Sequence, residues 1–460
     1  MLKEHCVNIK NRLEFGSASK SLSWIFGLLC SLGGQAWGAG ITIMEQSVKE
    51  LGQAFSGAST NIEDASAVFF NPGAMGRLHG NLLSFAGYTV IPSTEFHNSG
   101  SRLAPQLGGA PLLGGNGGDG GVTTLIPNFY AVHELTERLV LGVGVNEPFG
   151  VHSSYESRWQ GRYQALDSEI RTVNINPSLA IRIKDELSFG AGLNVQYLDA
   201  KLTNAIDFGS VCLGTLGPSV CVLQGLLPQQ VDGHIKLQGD SIAVGYNLGI
   251  LYAPDMNTRM GANYRSGIHH DIAGDADYTV PSAALPLTQG GQFVDTRMHT
   301  SVNLPDTVSF GLYHRFDTRW AVTADALWTH WSLVKSLTVK FSSAQPDTVQ
   351  PLDWQDTWRV AVGVNYDFAP ATTLRLGVAY DETPIPSAQR RIPRIPDSDR
   401  VWLAVGVSLS PIKSITMHGG YAHLFFQDAP TKTVGSTGDL LSGRFSNQID
   451  ILGLQLDWRF

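Results

Sequence analysis

The chain of 460 residues ends with the stretch LQLDWRF at positions 454–460. Its even positions are apolar, whereas Gln455, Asp457 and Arg459 stand between them. Because successive side chains of a β-strand point to opposite faces, this alternation predicts a strand with one apolar and one polar face. Many outer-membrane β-barrel chains also end on an aromatic residue, as this chain does at Phe460.

The same alternation recurs upstream, at residues 360–368, 374–381 and 401–409. On the second face of these stretches, charges such as Arg375 and Asp381 are mixed with small residues. A soluble sandwich would not place such charges in its core, whereas a membrane barrel has an apolar outside and a polar lumen. The pattern therefore predicts an all-β fold, a transmembrane antiparallel β-barrel.

Composition agrees with this fold class. Only 16% of the residues are charged, and 50 are glycine. No run of eighteen apolar residues follows the N-terminal region, which argues against helical membrane spans. The net charge is −8 and the basic residues are scattered, so nucleic-acid binding is not expected.

From Gly80 onward the sequence predicts fourteen strands, an even number as in bacterial barrels. They centre near Phe85, Phe129, Val143, Ile175, Leu193, Val244, Ala262, Phe310, Val322, Val362, Leu376, Val405, Gly420 and Leu454. The long loops between them are predicted at 93–121, 151–168, 205–233, 277–292, 341–354 and 430–446. Long loops face outward in such barrels, and the short turns face the periplasm.

The N-terminal region divides into two parts. Residues 1–38 read as a signal peptide, because basic residues precede a short apolar segment and small residues precede Ala39. Residues 39–79 do not alternate; they carry helical spacing and then a break at Asn71-Pro72-Gly73. This hatch is either a lid on the periplasmic side or a plug in the lumen, and the barrel takes up residues 80–460.

Two cysteines remain after the signal peptide, Cys212 and Cys221. In an exported protein their spacing predicts a disulfide that closes a small loop. A metal site is the weaker interpretation, because no cluster of histidines or acids accompanies the pair. No cofactor is expected.

Two further features are unusual for a simple pore. Asn146-Glu147-Pro148-Phe149-Gly150 interrupts the third strand, since proline cannot donate to the ladder and the Pro/Gly combination marks a bulge or break. The alternative is that the strand ends there.

The second feature is a set of apolar outer loops, which usually mark a binding surface. The candidate ligand-capture residues are Tyr155, Trp159, Tyr163, Leu213, Leu216, Val222, Leu223 and Leu226.

Several motifs, in order along the whole mature chain, resemble the long-chain fatty acid transporter (FadL) family of Gram-negative outer membranes. They are Ala39-Gly40-Ile41, the run at 51–57, Asn71-Pro72-Gly73, Leu304-Pro305-Asp306, and the stretches at 354–359, 381–386 and 395–400. The resemblance implies a fourteen-stranded barrel plugged by the hatch. It also implies passive uptake of long-chain fatty acids or similar hydrophobic molecules.

In that family the ligand is captured at the outer loops, passes to a pocket in the lumen, and leaves sideways through a kink in the third strand. The resemblance places the lateral opening at residues 146–150 and the moving element of the hatch at Ile41. It places candidate carboxylate partners near Lys201, Lys335 and Lys340. It implies a monomer in the outer membrane, in contact with membrane lipid and lipopolysaccharide.

Three alternatives remain. The same route can serve neutral aromatic or aliphatic hydrocarbons, which need no cation. An outer-membrane enzyme such as a phospholipase needs a nucleophile beside a histidine. His269, His270, His330 and His418 have no such motif, so no enzyme activity is expected. A structural or adhesive barrel would not need apolar loop tips.

Overall fold

The computed structural model describes residues 40–460, and its strands form one antiparallel sheet that closes on itself. The first ten segments are β1 (Asn81–Asn98), β2 (Thr124–Thr136), β3 (Leu139–Asn146), β4 (Gly150–Ser154), β5 (Asp167–Lys184), β6 (Leu187–Asp207), β7 (Asp232–Tyr252), β8 (Thr258–Arg265), β9 (Ile268–Thr279) and β10 (Thr296–Leu304). The others are β11 (Thr307–Arg315), β12 (Trp320–Thr329), β13 (Ser336–Phe341), β14 (Thr348–Pro351), β15 (Thr357–Ala369), β16 (Thr372–Asp381), β17 (Arg400–Ile412), β18 (Ile415–Phe426), β19 (Ala429–Val434) and β20 (Leu440–Arg459).

These segments make fourteen barrel strands, because six strands consist of two segments each. The divided strands are β3/β4, β8/β9, β10/β11, β12/β13, β14/β15 and β18/β19. The barrel closes where β1 pairs with β20, from Leu82↔Arg459 to Asn98↔Gly443. The predicted fold class and the count of fourteen are confirmed, and every predicted centre falls inside a strand.

The two faces of the strands differ as the alternation predicts. On β20, Leu452, Leu454 and Trp458 are exposed on the outer face, whereas Gln455 and Asp457 are buried toward the lumen. The apolar outer face suits lipid, and the lumen face is covered by the hatch. Within residues 40–460, no helix is long and apolar enough to cross a membrane.

The two ends of the barrel also differ. Turns of a few residues join the strands at the end that carries Phe460, and longer loops at 99–123, 155–166, 208–231 and 280–295 join them at the other. The predicted loop at 430–446 is wrong for most of its length, because β19 and β20 extend through it, and β14 interrupts the predicted loop at 341–354. The sequence prediction also missed the long segment 382–399, which folds inward and buries Ile385, Ile392 and Ile395.

The hatch, residues 40–79, is a plug rather than a lid. It contains α1 (Val48–Leu51), α2 (Ala67–Phe70) and tight turns at 58–60 and 72–77. Val48, Leu51 and Phe55 are completely buried against the lumen wall. The predicted signal peptide, 1–38, lies outside the described residues.

Loop 208–231 contains the remaining two helices, α3 (Phe208–Thr215) and α4 (Pro218–Leu223). Asp207 caps α3 by accepting from the backbone amide of Ser210, and a glycine, Gly217, precedes α4. The two helices form a hairpin above β6 and β7, at the end of the barrel that carries the long loops.

Candidate ligand pathway

An apolar cavity lies inside the barrel. Strands β5, β6, β7, β9, β10 and β13 form its wall, and the hatch contributes Ile41. Every lining side chain is apolar except that of Thr300. Its apolar walls are the kind of lining that hydrophobic ligands contact in small-molecule sites.

Directly beside this cavity, the hatch backbone pairs with the interrupted third strand. The Ile43 amide donates to the Pro148 carbonyl at 2.9 Å, and the Gly150 amide donates to the Ile41 carbonyl at 2.9 Å. Thr42 and Phe149 therefore form an isolated antiparallel pair. Ile41 thus contributes its side chain to the cavity and its carbonyl to the interrupted strand.

This pairing replaces a missing strand contact. β2 pairs with β3 only as far as Phe129↔Val145, whereas β4 pairs with β5 but not with β2. We call the space between β2 and β4 the gap. In lipid an unpaired backbone group costs several kcal/mol, so the polar groups at the gap need other partners.

The hatch also contacts the β2 side of the gap. The side-chain amide of Asn128 donates to the Glu45 carbonyl at 2.7 Å, and the Tyr130 hydroxyl donates to the side-chain oxygen of Gln46 at 3.2 Å. The Gln46 side chain in turn donates to the Glu147 carbonyl at 2.8 Å. The hatch segment 41–46 therefore covers the gap from the inside and touches both of its edges.

The first long loop covers the upper part of the gap. Gly121 pairs with Ser153 of β4, and the Ser154 amide donates to the Gly120 carbonyl at 3.0 Å. Asn146 has a lumen partner, because the Asn174 amide donates to its side chain at 3.2 Å. The five residues predicted for the lateral opening, 146–150, thus surround a real interruption of the wall, which the hatch and this loop close.

The first described residue of the hatch is also held in place. The Gly40 amide donates to the Asp397 carboxylate at 3.0 Å, and Arg400 contacts the other carboxylate oxygen at 3.1 Å. Gly40 has φ +64°, and a side chain there would meet Trp331 and Trp354 within 3.2 Å. Glycine is therefore required beside Ile41 by both conformation and space.

Asn71 anchors the other end of the hatch. Its side-chain amide donates to the Ser59 carbonyl at 2.7 Å and to the Ile250 carbonyl of β7 at 2.9 Å. Its side-chain oxygen accepts from the Gly73 amide at 2.9 Å, across Pro72. A side chain at Gly73 would lie 2.6 Å from the Gly249 carbonyl, so the Asn-Pro-Gly turn touches the barrel wall directly.

A charge cluster holds the middle of the hatch. Glu63 lies 3.4 Å from Lys49 and 3.5 Å from Arg375 of β16. Burial alone would raise the pKa of Glu63, but Lys49, Arg375 and Arg259 outweigh burial and lower it. Glu63 is therefore ionised at neutral pH and joins the hatch to the barrel wall.

The predicted capture residues separate into two groups. Leu216, Val222 and Leu223 are exposed on the helical hairpin, with Leu223 88% exposed. Leu213 is half-buried and Leu226 is buried, and both pack inside the hairpin.

The aromatic part of the capture prediction needs correction. Tyr155, Trp159 and Tyr163 are buried, and Tyr155 stacks on Trp159 with ring centroids 4.3 Å apart. The Tyr155 hydroxyl donates to the Pro393 carbonyl at 2.8 Å, and the Trp159 indole donates to the Ala165 carbonyl at 2.8 Å. These rings build the loop and seat it on segment 382–399. Among the predicted capture residues, the exposed ones all lie on the helical hairpin.

Cys212 and Cys221 are joined in a disulfide that links α3 to α4. Both sulfur atoms lie in the buried interior of the hairpin, together with Phe208 and Leu226. The bond holds together two short helices whose outer faces are apolar and exposed.

The three predicted lysines do not line the cavity. Lys201 alternates with Ala200 and Leu202, which do, so it faces outward, where its amine contacts Asp167 at 2.9 Å. Lys340 likewise alternates with the cavity residue Val339 and is exposed, as is Lys335. The prediction of these lysines as carboxylate partners therefore needs correction, because alternation turns Lys201 and Lys340 outward and Lys335 is exposed just before β13.

A different cation, Arg394 in segment 382–399, lies above the cavity. It donates to Ser168 at 2.7 Å, to the Thr203 carbonyl at 3.2 Å and to Asn204 at 3.0 Å. Ser168 and Asn204 are each two residues from a cavity residue, Ile170 and Leu202, toward the end of the barrel with the long loops. They therefore share the lumen face with these cavity residues and lie just above them. Burial lowers the pKa of Arg394 to about 10, so it remains a cation at neutral pH. The isoleucines of this segment are buried, and their presence in the sequence could have indicated that the segment turns inward.

One polar row beneath the hatch was also missed. Ser408 contacts His418 at 2.5 Å, and His418 contacts Asp457 at 2.7 Å. Arg375 donates to Ser408 as well, and all of these side chains are buried. The row joins β16, β17, β18 and β20 on the lumen side, beneath the hatch, and away from the apolar cavity.

Comparison with known proteins agrees with this architecture. Residues 29–460 match the family model described as "Outer membrane protein transport protein (OMPP1/FadL/TodX)". The chain is 28% identical over 409 residues to the "Long-chain fatty acid transport protein" of Escherichia coli K12, covering 85% of this chain and 89% of that protein. It is 25% identical to "Outer membrane protein P1" of Haemophilus influenzae, covering 94% of this chain and 97% of that one.

Two solved structures share the fold. A Pseudomonas aeruginosa FadL homologue has a TM-score of 0.83 at 24% identity, covering 92% of this chain and 100% of its own. The Pseudomonas putida toluene transporter TodX has a TM-score of 0.63 at 19% identity, covering 86% of this chain and 94% of its own. The family match over nearly the whole length, together with the plugged fourteen-stranded barrel, establishes that this chain belongs to the OMPP1/FadL/TodX family of outer-membrane transport proteins.

Proposed function

We propose that this protein takes up long-chain fatty acids passively and releases them sideways through the gap in the third barrel strand. The observation that carries the proposal is the double role of Ile41, whose side chain lines the apolar cavity and whose carbonyl pairs with Gly150. A ligand that displaces this side chain also strains the backbone pairing that closes the gap. Binding and opening are then the same event.

The apolar lining suits the transfer energetics of such a ligand. Each methylene that leaves water contributes about 0.8 kcal/mol, so a long chain gains ample affinity from contact with apolar walls alone. Leaving through the gap delivers the chain into the outer leaflet without passage through water, so the hydrophobic contact is never lost.

The carboxylate needs a partner once it leaves water. Arg394 meets this need, because it is a half-buried cation directly above the cavity and its guanidinium has donors beyond its three contacts. We therefore assign the fatty acid an orientation with its head at Arg394 and its chain pointing down toward Ile41.

Neutral hydrocarbons are the second candidate ligands. The cavity supports this alternative because Thr300 is the only polar residue in its lining. A toluene transporter also shares the fold, though at 19% identity. Hydrocarbons would use the same capture surface and gap but would not depend on Arg394.

Uptake by living cells tests the proposal. Cells that lack their own fatty acid transporter should take up radiolabelled oleate when they express this protein, and Leu223→Glu should reduce uptake at limiting oleate. Met256→Glu is the matched control, because Met256 is 95% exposed but lies in a short turn at the opposite end of the barrel. The absence of oleate uptake, with toluene uptake retained, would support the hydrocarbon alternative.

A further inference from the structure

Beside the cavity, two buried side chains on the lumen face each have an atom without a hydrogen-bond partner among the described residues, and we call this pair the corner. They are Oγ1 of Thr300 on β10 and Nδ1 of His270 on β9. Thr300 is 8% exposed and His270 is completely buried. A buried polar atom without a partner is destabilising, so this corner calls for a ligand or a water molecule.

Register places the two side chains together. Thr300 pairs with Ile272, and Val302 pairs with His270, so Thr300 and His270 are diagonal neighbours on the lumen face. Diagonal neighbours in a sheet lie about 7–8 Å apart at their Cα atoms, close enough for one oxygen to approach both side chains. Ile272 and Val302 line the cavity, so the corner adjoins the apolar wall.

The hydrogen-bonding roles at this corner are complementary. His270 Nε2 lies 3.0 Å from the side-chain oxygen of Gln196, which only accepts, so Nε2 carries the proton of the neutral ring. The free Nδ1 is then an acceptor, whereas the Thr300 hydroxyl is free to donate. A hydroxyl group both donates and accepts, so a single ligand hydroxyl can satisfy both atoms.

The corner is also far from Arg394. Thr300 pairs with Ile272 on β9, and the neighbouring Ala273 pairs with Asp240 on β7. The next residue of β7, Ser241, pairs with Leu198 on β6, so Leu198 marks the level of the corner. Asn204, which contacts Arg394, is six residues further along β6. Six residues of strand span about 20 Å. A carboxylate at Arg394 therefore leaves the corner to a group well along the chain.

We propose that the cavity selects long-chain fatty acids that carry a hydroxyl group far from the carboxylate, with Thr300 and His270 as the residues that recognise it. This inference rests on the proposed function, because it assumes that the fatty acid binds with its head at Arg394. It goes further by naming hydroxylated fatty acids as the substrate class. Plain fatty acids and hydrocarbons lack the hydroxyl group that the corner would recognise.

The test compares stearate with 3-hydroxystearate, 12-hydroxystearate and 18-hydroxystearate, by competition for the purified full-length protein in detergent. We expect the parent protein to prefer one of the two distally hydroxylated acids over stearate by about threefold to tenfold, the value of one hydrogen bond. Thr300→Val, which has the same shape but no hydroxyl, should remove that preference, and Thr300→Ser should keep it.

Two controls separate recognition from damage. Thr338→Val on β13 removes a hydroxyl on the outer face next to the cavity residue Val339, and it should leave the preference unchanged. Heat-modifiability in gel electrophoresis should show that every variant is a folded barrel.

The outcomes separate this inference from the proposed function. Binding of stearate with no preference for distal hydroxyls, or an equal loss of all ligands in Thr300→Val, would overturn the inference and leave fatty acid uptake standing. Failure of the parent protein to bind any of the acids would overturn both.

Discussion

At the residue scale, Asn71 shows how one side chain holds the hatch in the barrel. We expect Asn71→Ala to leave the Ser59 and Ile250 carbonyls and the Gly73 amide without their side-chain partner, at about 1–3 kcal/mol for each group that stays buried. The hatch should loosen and uptake should fall, while the barrel still assembles. Asn71→Asp should act similarly, because it keeps the acceptor for Gly73 but loses both donors.

Uptake assays and heat-modifiability of the same variants check this prediction. Asn303→Ala, which removes an asparagine from the outer face of β10, is the matched control. Normal uptake by a normally assembled Asn71→Ala barrel would show that the turn at 71–73 does not hold the hatch.

Single residues also show where prediction from sequence succeeds and where it fails. Arg375 was correctly placed in the lumen, because lipid on one side of every strand forces the alternation that reveals its face. Lys201 was placed near the ligand by resemblance, although the same alternation turns it outward toward Asp167. An aromatic residue such as Trp159 can serve as an exposed capture residue or as a buried part of its loop. The sequence does not distinguish these two roles, and only contacts such as the stack on Tyr155 show that it is buried.

At the element scale, the disulfide keeps the helical hairpin in a single conformation. Cys212 and Cys221 are nine residues apart, and closing such a loop contributes about 2–3 kcal/mol by restricting the unfolded chain. We expect Cys212→Ser/Cys221→Ser to make loop 208–231 sensitive to protease while the barrel stays resistant. Capture at limiting ligand should weaken, because the exposed Leu223 loses its fixed position.

Thiol labelling of intact cells is the direct check on the bond. The parent protein should not react without reductant, whereas Cys212→Ser should expose a single reactive thiol at Cys221. Strong labelling of both cysteines in the untreated parent protein would show that the bond does not form in the cell.

The elements themselves were predictable to different degrees. All fourteen barrel strands follow from alternation, because each strand separates the same two environments along its whole length. The inward fold of segment 382–399 did not follow, since it depends on contacts such as Gly40 with Asp397, which are 357 residues apart. The interruption at Pro148 was readable because proline lacks a ladder donor, but its partners in the hatch were not.

At the scale of the whole molecule, three sites lie along one proposed path. In this proposal, apolar residues of the helical hairpin meet the ligand outside, the cavity takes up its chain, and the gap between β2 and β4 opens to the membrane. The hatch segment 41–46 touches the cavity and both edges of the gap, so we expect it to control the last step. The central claim is that this segment must move for the ligand to leave.

A reversible lock on that segment tests the claim most directly. Thr42 and Phe149 form a pair flanked by the Ile43–Pro148 and Gly150–Ile41 hydrogen bonds. In this arrangement two Cα atoms lie about 4.5 Å apart, which suits a disulfide. Thr42→Cys/Phe149→Cys should therefore cross-link the hatch to the interrupted strand, and Cys212→Ser/Cys221→Ser should be added so that reductant acts on this bond alone.

The decisive measurement is oleate uptake by cells carrying this lock, before and after reduction, with each single cysteine variant as control. We predict that the oxidised lock lowers uptake to the background of cells without the protein. Reductant should restore uptake, and oleate should still bind at the helical hairpin in both states. Uptake at the parental rate by a protein whose cross-link is verified would contradict lateral release through the gap.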